Sequence, residues 1–506
     1  MILSRNSLKQ ISSDSIEIPG EEIFLYPEKI LQFGTGVLLR GLPDYFIDKA
    51  NKKGLFKGRI VVVKSTETGR SDEFGRQDAL YTHLVQGISE GKSIREFYIN
   101  ASISRVLSAV KDWKSILNCA LNRELEIIIS NTTEVGIELR DDDIRANPPD
   151  SFPGKLVSFL YHRYKKLGEN SAPGFVIVPT ELIPDNGLKL KTICFELAKK
   201  NGLENEFIEW LTRANTFCNS LVDRIVPGKP NSELKNQIEN EIGYKDDLMI
   251  ISESYRLWAI EADERAKNVL SFYRADEGVK IEPDITIYRE LKLRLLNGVH
   301  TLSSGLAFLA GIKTVKEAMN ILWLSNYIQS LMLDELAPAI PYAISKEESR
   351  KFGMQVLDRF RNPGIEHEWI NITLQYSSKM RMRNIPLLLN YYKIFGKVPQ
   401  LLAKGFAAYL LFSRPVKKQE GNYRGEWNGI LYPVRDDKVD IFFKVWNSNN
   451  PNKVVDLILA NENLWGSDLS TLSGFADAVK SDLQFLMNSR VEEWRDEFNN
   501  CIEKKS

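Results

Sequence analysis

The sequence predicts a doubly wound α/β domain of Rossmann type followed by a mostly α-helical domain, and three observations carry that prediction. Near-continuous β-branched runs alternate with helical patterns through the first half of the chain. One of those runs leads directly into a pair of glycines and then a helical pattern. After about residue 240 the β-rich runs give way to apolar residues spaced by three and four.

Taken in order, 29–33 (KILQF), 59–63 (RIVVV), 126–130 (EIIIS) and 174–179 (GFVIVP) read as buried strands of a parallel sheet, because they do not alternate. Stretches 38–52 and 108–122 between them carry helical periodicity. Helices are then expected over 291–310, 315–333, 346–361, 385–395, 401–412 and 475–498, with 413–437 as a long surface excursion rich in Gly, Pro and charge. This pattern divides the chain into a dinucleotide-binding domain over 1–240 and a helical, substrate-binding and catalytic domain over 241–506.

With 506 residues, 43% of them hydrophobic, the chain has material for two or three real cores, which excludes disordered and collagen-like classes. Lys and Arg total 67 and so do Asp and Glu, so no net charge draws the chain to nucleic acid or an anionic membrane. Cys119, Cys194, Cys218 and Cys501 lie far apart and at no short spacing from His83, His162, His300 or His367, which argues against a zinc site or a disulfide framework. No metal is expected. Residues 1–20 lack the apolar stretch of a secretory signal, and no segment offers the roughly 20 apolar residues that cross a bilayer, so a cytoplasmic, membrane-free setting is expected.

The strand KILQF runs into Gly34-Thr35-Gly36-Val37-Leu38-Leu39-Arg40. In a dinucleotide fold the first glycine makes the tight turn, the second admits the pyrophosphate, and the helix start supplies N–H groups. Leu39 stands where the usual fingerprint has its third glycine, and a lone Gly-x-Gly also suits an ordinary strand-to-helix turn. After the second strand, Lys64 favours NADP and Glu67 favours NAD, which leaves the choice open. The third strand ends in Asn131-Thr132-Thr133-Glu134, polar residues at the edge where such sheets bind ligands.

In 291–300 (LKLRLLNGVH), an α-helix at about 100° per residue places Lys292, Asn297 and His300 over less than half the surface, with Leu293 and Leu296 in the same arc. A lysine, an amide and an imidazole on one half-apolar face suit a proton-transfer constellation, with the amide available to a developing oxyanion, but taken alone they suit a surface lysine and a core histidine better. Farther on, Ser377-Ser378-Lys379-Met380-Arg381-Met382-Arg383-Asn384, taken as extended, puts Lys379, Arg381 and Arg383 on one side. Cations there suit a carboxylate. Glu253 and Trp258 in ESYRLWAIE read equally as lining a cleft or as part of a packed, half-buried strand, whereas His83, His162 and His367 read as ordinary surface or core histidines.

The pattern KLRLLNGVH resembles the reaction-centre signature of the mannitol dehydrogenase-like, polyol-specific long-chain dehydrogenases. ILQFGTGVLLRG is similar to their cofactor loop, QDALYTHLV to their Gln-Asp-x-Leu-Tyr segment, and SFPGKL, NSLVDRIVP and ESYRLWAIE to their interdomain segments, over about 29–379. The resemblance implies NAD as cofactor, with contacts at Gln32, Phe33, Gly34, Thr35, Gly36, Arg40, Lys64, Thr133 and Glu134. It implies Lys292 as general acid, Asn297 as oxyanion donor and His300 as a hydroxyl-binding group. A further donor is expected after GFVIVP; Leu182 stands where the mannitol enzymes have an asparagine, which leaves Asn186. The second domain supplies substrate contacts in such enzymes, which implicates Lys379, Arg381, Arg383 and Glu253. The resemblance lies closest to members that reduce a keto-uronate with NADH, so the expected substrate is a small sugar acid, tagaturonate first, with fructuronate and fructose as alternatives. A nucleotide-binding protein without chemistry is disfavoured by the intact Lys292, Asn297 and His300. Nothing in the sequence sets an oligomeric state.

Overall fold

The computed structural model describes residues 1–503 apart from 13–15, 66–70, 133–135 and 169–170. The chain forms two compact units, Met1–Gly87 with Ser93–Ile285 and Ile88–Lys92 with Thr286–Ser506. The division falls at 285/286 and not at 240/241 as the sequence pattern suggested. Three later strands cause the difference: Ile250–Glu253 pairs with Tyr81–Ser89, Leu257–Glu261 with Ser220–Asp223, and Val279–Glu282 with Leu257–Glu261.

The first unit is built on six parallel strands, β1 (Glu28–Phe33), β2 (Arg59–Lys64), β3 (Ile103–Ser108), β4 (Ile127–Ser130), β5 (Val176–Pro179) and β6 (Thr216–Phe217). Their spatial order is β3-β2-β1-β4-β5-β6, the doubly wound arrangement, and the chain direction across the sheet reverses between β1 and β4. Strand alternation explains why the sequence runs are apolar throughout. Ile30, Ile60, Val62, Ile127 and Ile129 enter one core with Tyr45, Phe46 and Ile47 of helix Pro43–Lys52. Leu31, Phe33, Val61, Val63 and Ile128 enter the other with Ile116, Leu156, Phe159 and Leu190 from three helices on the opposite face. The expected helix over 38–52 is broken at Leu42 (φ −134°, ψ −76°), because Pro43 disfavours helical dihedrals in the residue before it.

The second unit is mainly helical. Gln400–Phe412 is buried from Leu401 to Phe412 and forms its centre. Its one charge, Lys404, pairs with Asp482 at 2.8 Å and Glu497 at 3.2 Å. Helix Gly298–Leu309 packs closely on this centre. A Cβ on Gly305 would lie 3.0 Å from Ala408 O, and one on Gly405 would lie 3.0 Å from Leu302 O. The stretch 413–437, expected as a surface excursion, contains an antiparallel sheet of Pro415–Gln419, Asn422–Trp427 and Ile430–Pro433. Positive-φ Gly421 and Gly429 make its two turns, which is the structural use of the glycines that had suggested a loop. Among the described residues no helix is long and apolar enough to cross a membrane.

Candidate active site

In the first unit, β1 ends at Gly34, whose φ is +124°. A Cβ there would lie 2.8 Å from both Asn131 O and Leu39 Cδ1, so only glycine fits the turn. Gly34 N–H donates to Val63 O at 3.0 Å and Asn131 N–H to Phe33 O at 3.1 Å, joining the carboxyl ends of β2, β1 and β4. Half-buried Thr35 follows, and then Gly36, exposed, where a Cβ would meet nothing within 4 Å. An open glycine at the point where strand order reverses is the cradle a dinucleotide pyrophosphate requires, and these residues fit that group.

The other expected cofactor residues divide. Thr133 and Glu134, like Glu67, lie outside the described residues. Lys64 is buried at the carboxyl end of β2, on the same edge as Gly34. Phe33 is wholly buried against Phe152, with ring centroids 5.1 Å apart, so strand alternation sends its side chain into the core and only its backbone reaches the edge. Gln32 lies under the loop, its Nε2 donating at 3.5 Å to Gly34 O and Asp44 Oδ2, while its Oε1 and Asp44 Oδ1 are buried with no partner among the described residues. Burial pushes the Asp44 carboxyl up to about 8, against the lowering effect of Gln32 and Arg40.

Arg40 does not face the cofactor edge. Its Nη1 donates to Leu248 O, its guanidinium lies 5.3 Å from the Tyr81 ring centroid, and burial lowers its pKa. Tyr81 in turn donates to Arg40 O at 2.8 Å, and Gln77 Nε2 donates to Asp246 Oδ1 at 2.7 Å. The QDALY segment is therefore a buttress under the cofactor loop, a role its spacing in sequence does not reveal.

Two further expectations are corrected in this unit. Asn186 is fully buried; its Nδ2 donates to Pro179 O, Glu181 O and Ser220 O, and its Oδ1 accepts from Gly187 and Ser220 N–H. Both amide hydrogens are committed to backbone, so it is no oxyanion donor. Glu253 is 2% exposed and accepts from Ile225 N–H at 2.7 Å, a buried structural acid and not a cleft-lining one; Trp258 is stacked between Phe46 and Phe272. Sequence reasoning missed Glu181, whose carboxylate takes Thr132 N–H at 2.9 Å, Thr132 Oγ1 at 3.0 Å and Ser130 Oγ at 3.1 Å, fixing the end of β4.

In the second unit, Lys292, Asn297 and His300 lie on one rod over 286–309, but not in uniform α-geometry. Lys292–Asn297 forms a π-turn between Thr286–Leu291 and Gly298–Leu309. Its i→i+5 bonding widens the turn relative to an α-helix, with Lys292 at its start and Asn297 at its end. Both are half-buried, and among the described residues the Asn297 side-chain amide makes no hydrogen bond, which leaves it available to a ligand. His300 is 7% exposed, stacked on Phe360 at 4.3 Å with His367 edge-on at 5.1 Å and Trp369 at 6.1 Å. His367, which reads as an ordinary histidine in sequence, thus belongs to this cluster; the 66 residues between the two histidines carry no spacing signal. Burial first, then the nearby His367, Arg383, Arg359 and Lys379, hold the His300 imidazole well below the usual histidine range, and its buried Nε2 has no partner among the described residues.

The basic run is helical, not extended: Tyr376–Lys379 leads into a second π-turn, Met380–Asn384. Lys379 and Arg383, four apart, face the His300 cluster, whereas Arg381 turns away to Asn463 O, 3.4 Å distant. Arg383 Nη1 donates to Thr301 Oγ1 at 3.0 Å and Asn297 O at 3.4 Å, its buried Nε has no partner among the described residues, and burial pushes its pKa down to about 10. Lys379 Nζ donates to Ile372 O at 2.9 Å, and burial followed by Arg383 lowers its pKa. Two basic side chains therefore lie near an imidazole held well below the usual histidine range, a polar cluster of the kind that suits an oxygen-rich anion.

The comparisons with known proteins match this division. The mannitol dehydrogenase Rossmann domain matches residues 28–272, and the mannitol dehydrogenase C-terminal domain matches 284–487. The altronate oxidoreductase of Bacillus subtilis (strain 168) is 37% identical over 459 residues, 90% of this chain and 92% of its own. That of Halalkalibacterium halodurans is 34% identical over 502 residues, 97% and 95% of the two chains. Among solved structures, D-sorbitol dehydrogenase superposes with a TM-score of 0.77 at 20% identity over 97% of this chain and 99% of its own. Mannitol 2-dehydrogenase of Pseudomonas fluorescens gives 0.64 at 22% identity over 99% of this chain and 100% of its own. The chain belongs to the mannitol dehydrogenase family, within its altronate oxidoreductase group, and is an oxidoreductase of carbohydrate metabolism built on a Rossmann domain.

Proposed function

We propose that this protein catalyses the reversible, metal-independent reduction of D-tagaturonate to D-altronate with NADH. The observation that carries the uronate reading is the cluster of Arg383 and Lys379 near a neutral His300, with Arg383 Nε making no hydrogen bond among the described residues. Altronate oxidoreductases 33 to 37% identical over nine-tenths or more of this chain support the same substrate class.

A nicotinamide dinucleotide, when bound, supplies the hydride. The chain's residues supply the rest. Lys292 donates its ammonium proton to the carbonyl oxygen as that oxygen gains charge, and takes the proton back in the oxidative direction. Asn297, one π-turn along, donates its amide N–H to the same developing oxyanion. His300 stays uncharged, so it binds a neighbouring hydroxyl by hydrogen bonding and adds no further positive charge. Open Gly36 and the positive-φ turn at Gly34 admit the cofactor phosphates.

The test is to follow oxidation of NADH and of NADPH by the purified protein with tagaturonate, fructuronate and fructose in parallel. The expected result is the highest kcat/KM with tagaturonate and NADH. A preference for fructose overturns the uronate assignment, and turnover with none of the three overturns the enzyme assignment.

A further inference from the structure

The two helices that carry the reaction-centre side chains both leave α-geometry where they meet. One widens over Lys292–Asn297 and the other over Met380–Asn384, and the two π-turns pack on each other. Such turns persist where the surroundings hold them, and they concentrate at functional positions.

The second π-turn has a covalent cause. Pro386 has no N–H, so the carbonyl of Met382, four residues earlier, lacks its α-helical donor. Arg294 fills that role from the other helix: its Nη1 donates to Met382 O at 2.6 Å and to Arg383 O at 2.9 Å. Its Nε donates to Glu290 Oε2 at 2.9 Å on its own helix, and the residue is 7% exposed. One planar guanidinium thus ties the π-turn holding Lys292 and Asn297 to the backbone of Arg383.

We propose that Arg294 is a positioning residue for the reaction, fixing the register between the Lys292–Asn297 turn and the Arg383 turn by occupying the carbonyl that Pro386 leaves open. The inference rests on reading Lys292, Asn297 and His300 as the reaction centre. Arg294 itself touches no reacting atom; it acts through the backbone of one helix and the side-chain geometry of the other.

Arg294→Lys keeps the charge but has a single nitrogen, which cannot hold Glu290 and the two carbonyls at once as Nε and Nη1 do. Its single-turnover rate of NADH oxidation is expected to fall by on the order of 100-fold, as a displacement of about 1 Å in a reacting group does. Its NADH dissociation constant is expected to stay unchanged. Pro386→Ala is the second variant, because it restores an N–H that competes with Arg294 for Met382 O. It is expected to melt at the same or a higher temperature and yet turn over more slowly, a divergence that a purely structural role does not produce. Full turnover per folded molecule in Arg294→Lys, or activity in Pro386→Ala that follows stability alone, overturns the proposal. If the unaltered chain reduces none of the candidate substrates, the reaction-centre reading has failed instead.

Discussion

Replacing Arg383 by methionine separates recognition of an acid from catalysis of reduction. The substitution keeps an unbranched apolar stem while removing a guanidinium that touches Thr301 Oγ1 at 3.0 Å and Asn297 O at 3.4 Å and holds a buried Nε with no partner among the described residues. Thr301 Oγ1 still donates to Asn297 O at 2.8 Å, so the rod itself keeps its local bonding. A hydrogen bond between charged groups contributes about 1.5 to 3 kcal/mol. At roughly 1.4 kcal/mol per factor of ten, that is a loss of about 10- to 150-fold in kcat/KM for a keto-uronate. A neutral ketose offers no carboxylate and should lose only about 3-fold or less, the residue of small positional changes. The assay is the initial rate of NADH oxidation for tagaturonate and fructose across a substrate series, with the variant's melting temperature measured alongside. Equal losses for both substrates would refute the reasoning and leave Arg383 as a structural brace.

Other consequences are separable in the same way. Gly36→Val should leave the melting temperature unchanged while weakening NADH binding, because a side chain there meets only open space; Gly34→Val should lower both, since its Cβ collides with Asn131 O. Unimpaired NADH binding by Gly36→Val would remove that glycine from the cofactor site. Asn186→Ala should destabilise the first unit by about 1 to 3 kcal/mol, as buried backbone groups lose their partners; normal stability with lost activity would reinstate it as a catalytic donor. Asp44 has its carboxyl raised to about 8 in the fold from about 3.9 unfolded. Its stabilising contribution is complete below the lower value and is lost as pH rises through the upper one. Asp44→Asn should therefore flatten the decline in melting temperature across that window, and an unchanged slope would contradict the assignment. Lys404→Met leaves Asp482 buried without its cation and should cost the second unit about 3 to 5 kcal/mol, read by denaturant unfolding; a cost under about 1 kcal/mol would show that the pair is solvated.

Much of the scaffold is legible in the order of residues alone. Strands expected over 29–33, 59–63, 126–130 and 174–179 occur as Glu28–Phe33, Arg59–Lys64, Ile127–Ser130 and Val176–Pro179. Burial on both faces writes a parallel strand as a continuous apolar run. Ile103–Ser108 escapes such a reading because it is an edge strand in which Ser104, Arg105 and Ser108 interrupt the apolar run, and Ile250–Glu253 and Val279–Glu282 escape it because two of the four residues in each are polar. In the site, types and spacings are readable but directions are not. Arg40, Asn186 and Glu253 carry suitable groups, yet each is already bonded to backbone of its own unit, and sequence does not show which donors and acceptors are taken. Lys379 and Arg383 face together while Arg381 does not because the segment is helical, and alternating Met and basic residues suit a strand as well as a helix. The Met380–Asn384 π-turn meets Arg294, 88 residues before Met382, a contact that no local pattern announces.

The central claim, that Lys292 serves the reacting oxygen while Arg383 and Lys379 hold a carboxylate, is tested most directly by a crystal structure of the protein with NAD and altronate. The expected result is a carboxylate oxygen within about 2.7 to 3.2 Å of Arg383 or Lys379 and the carbinol oxygen at the same range from Lys292 Nζ. A carboxylate left to solvent, or a carbinol oxygen out of reach of Lys292, would contradict it.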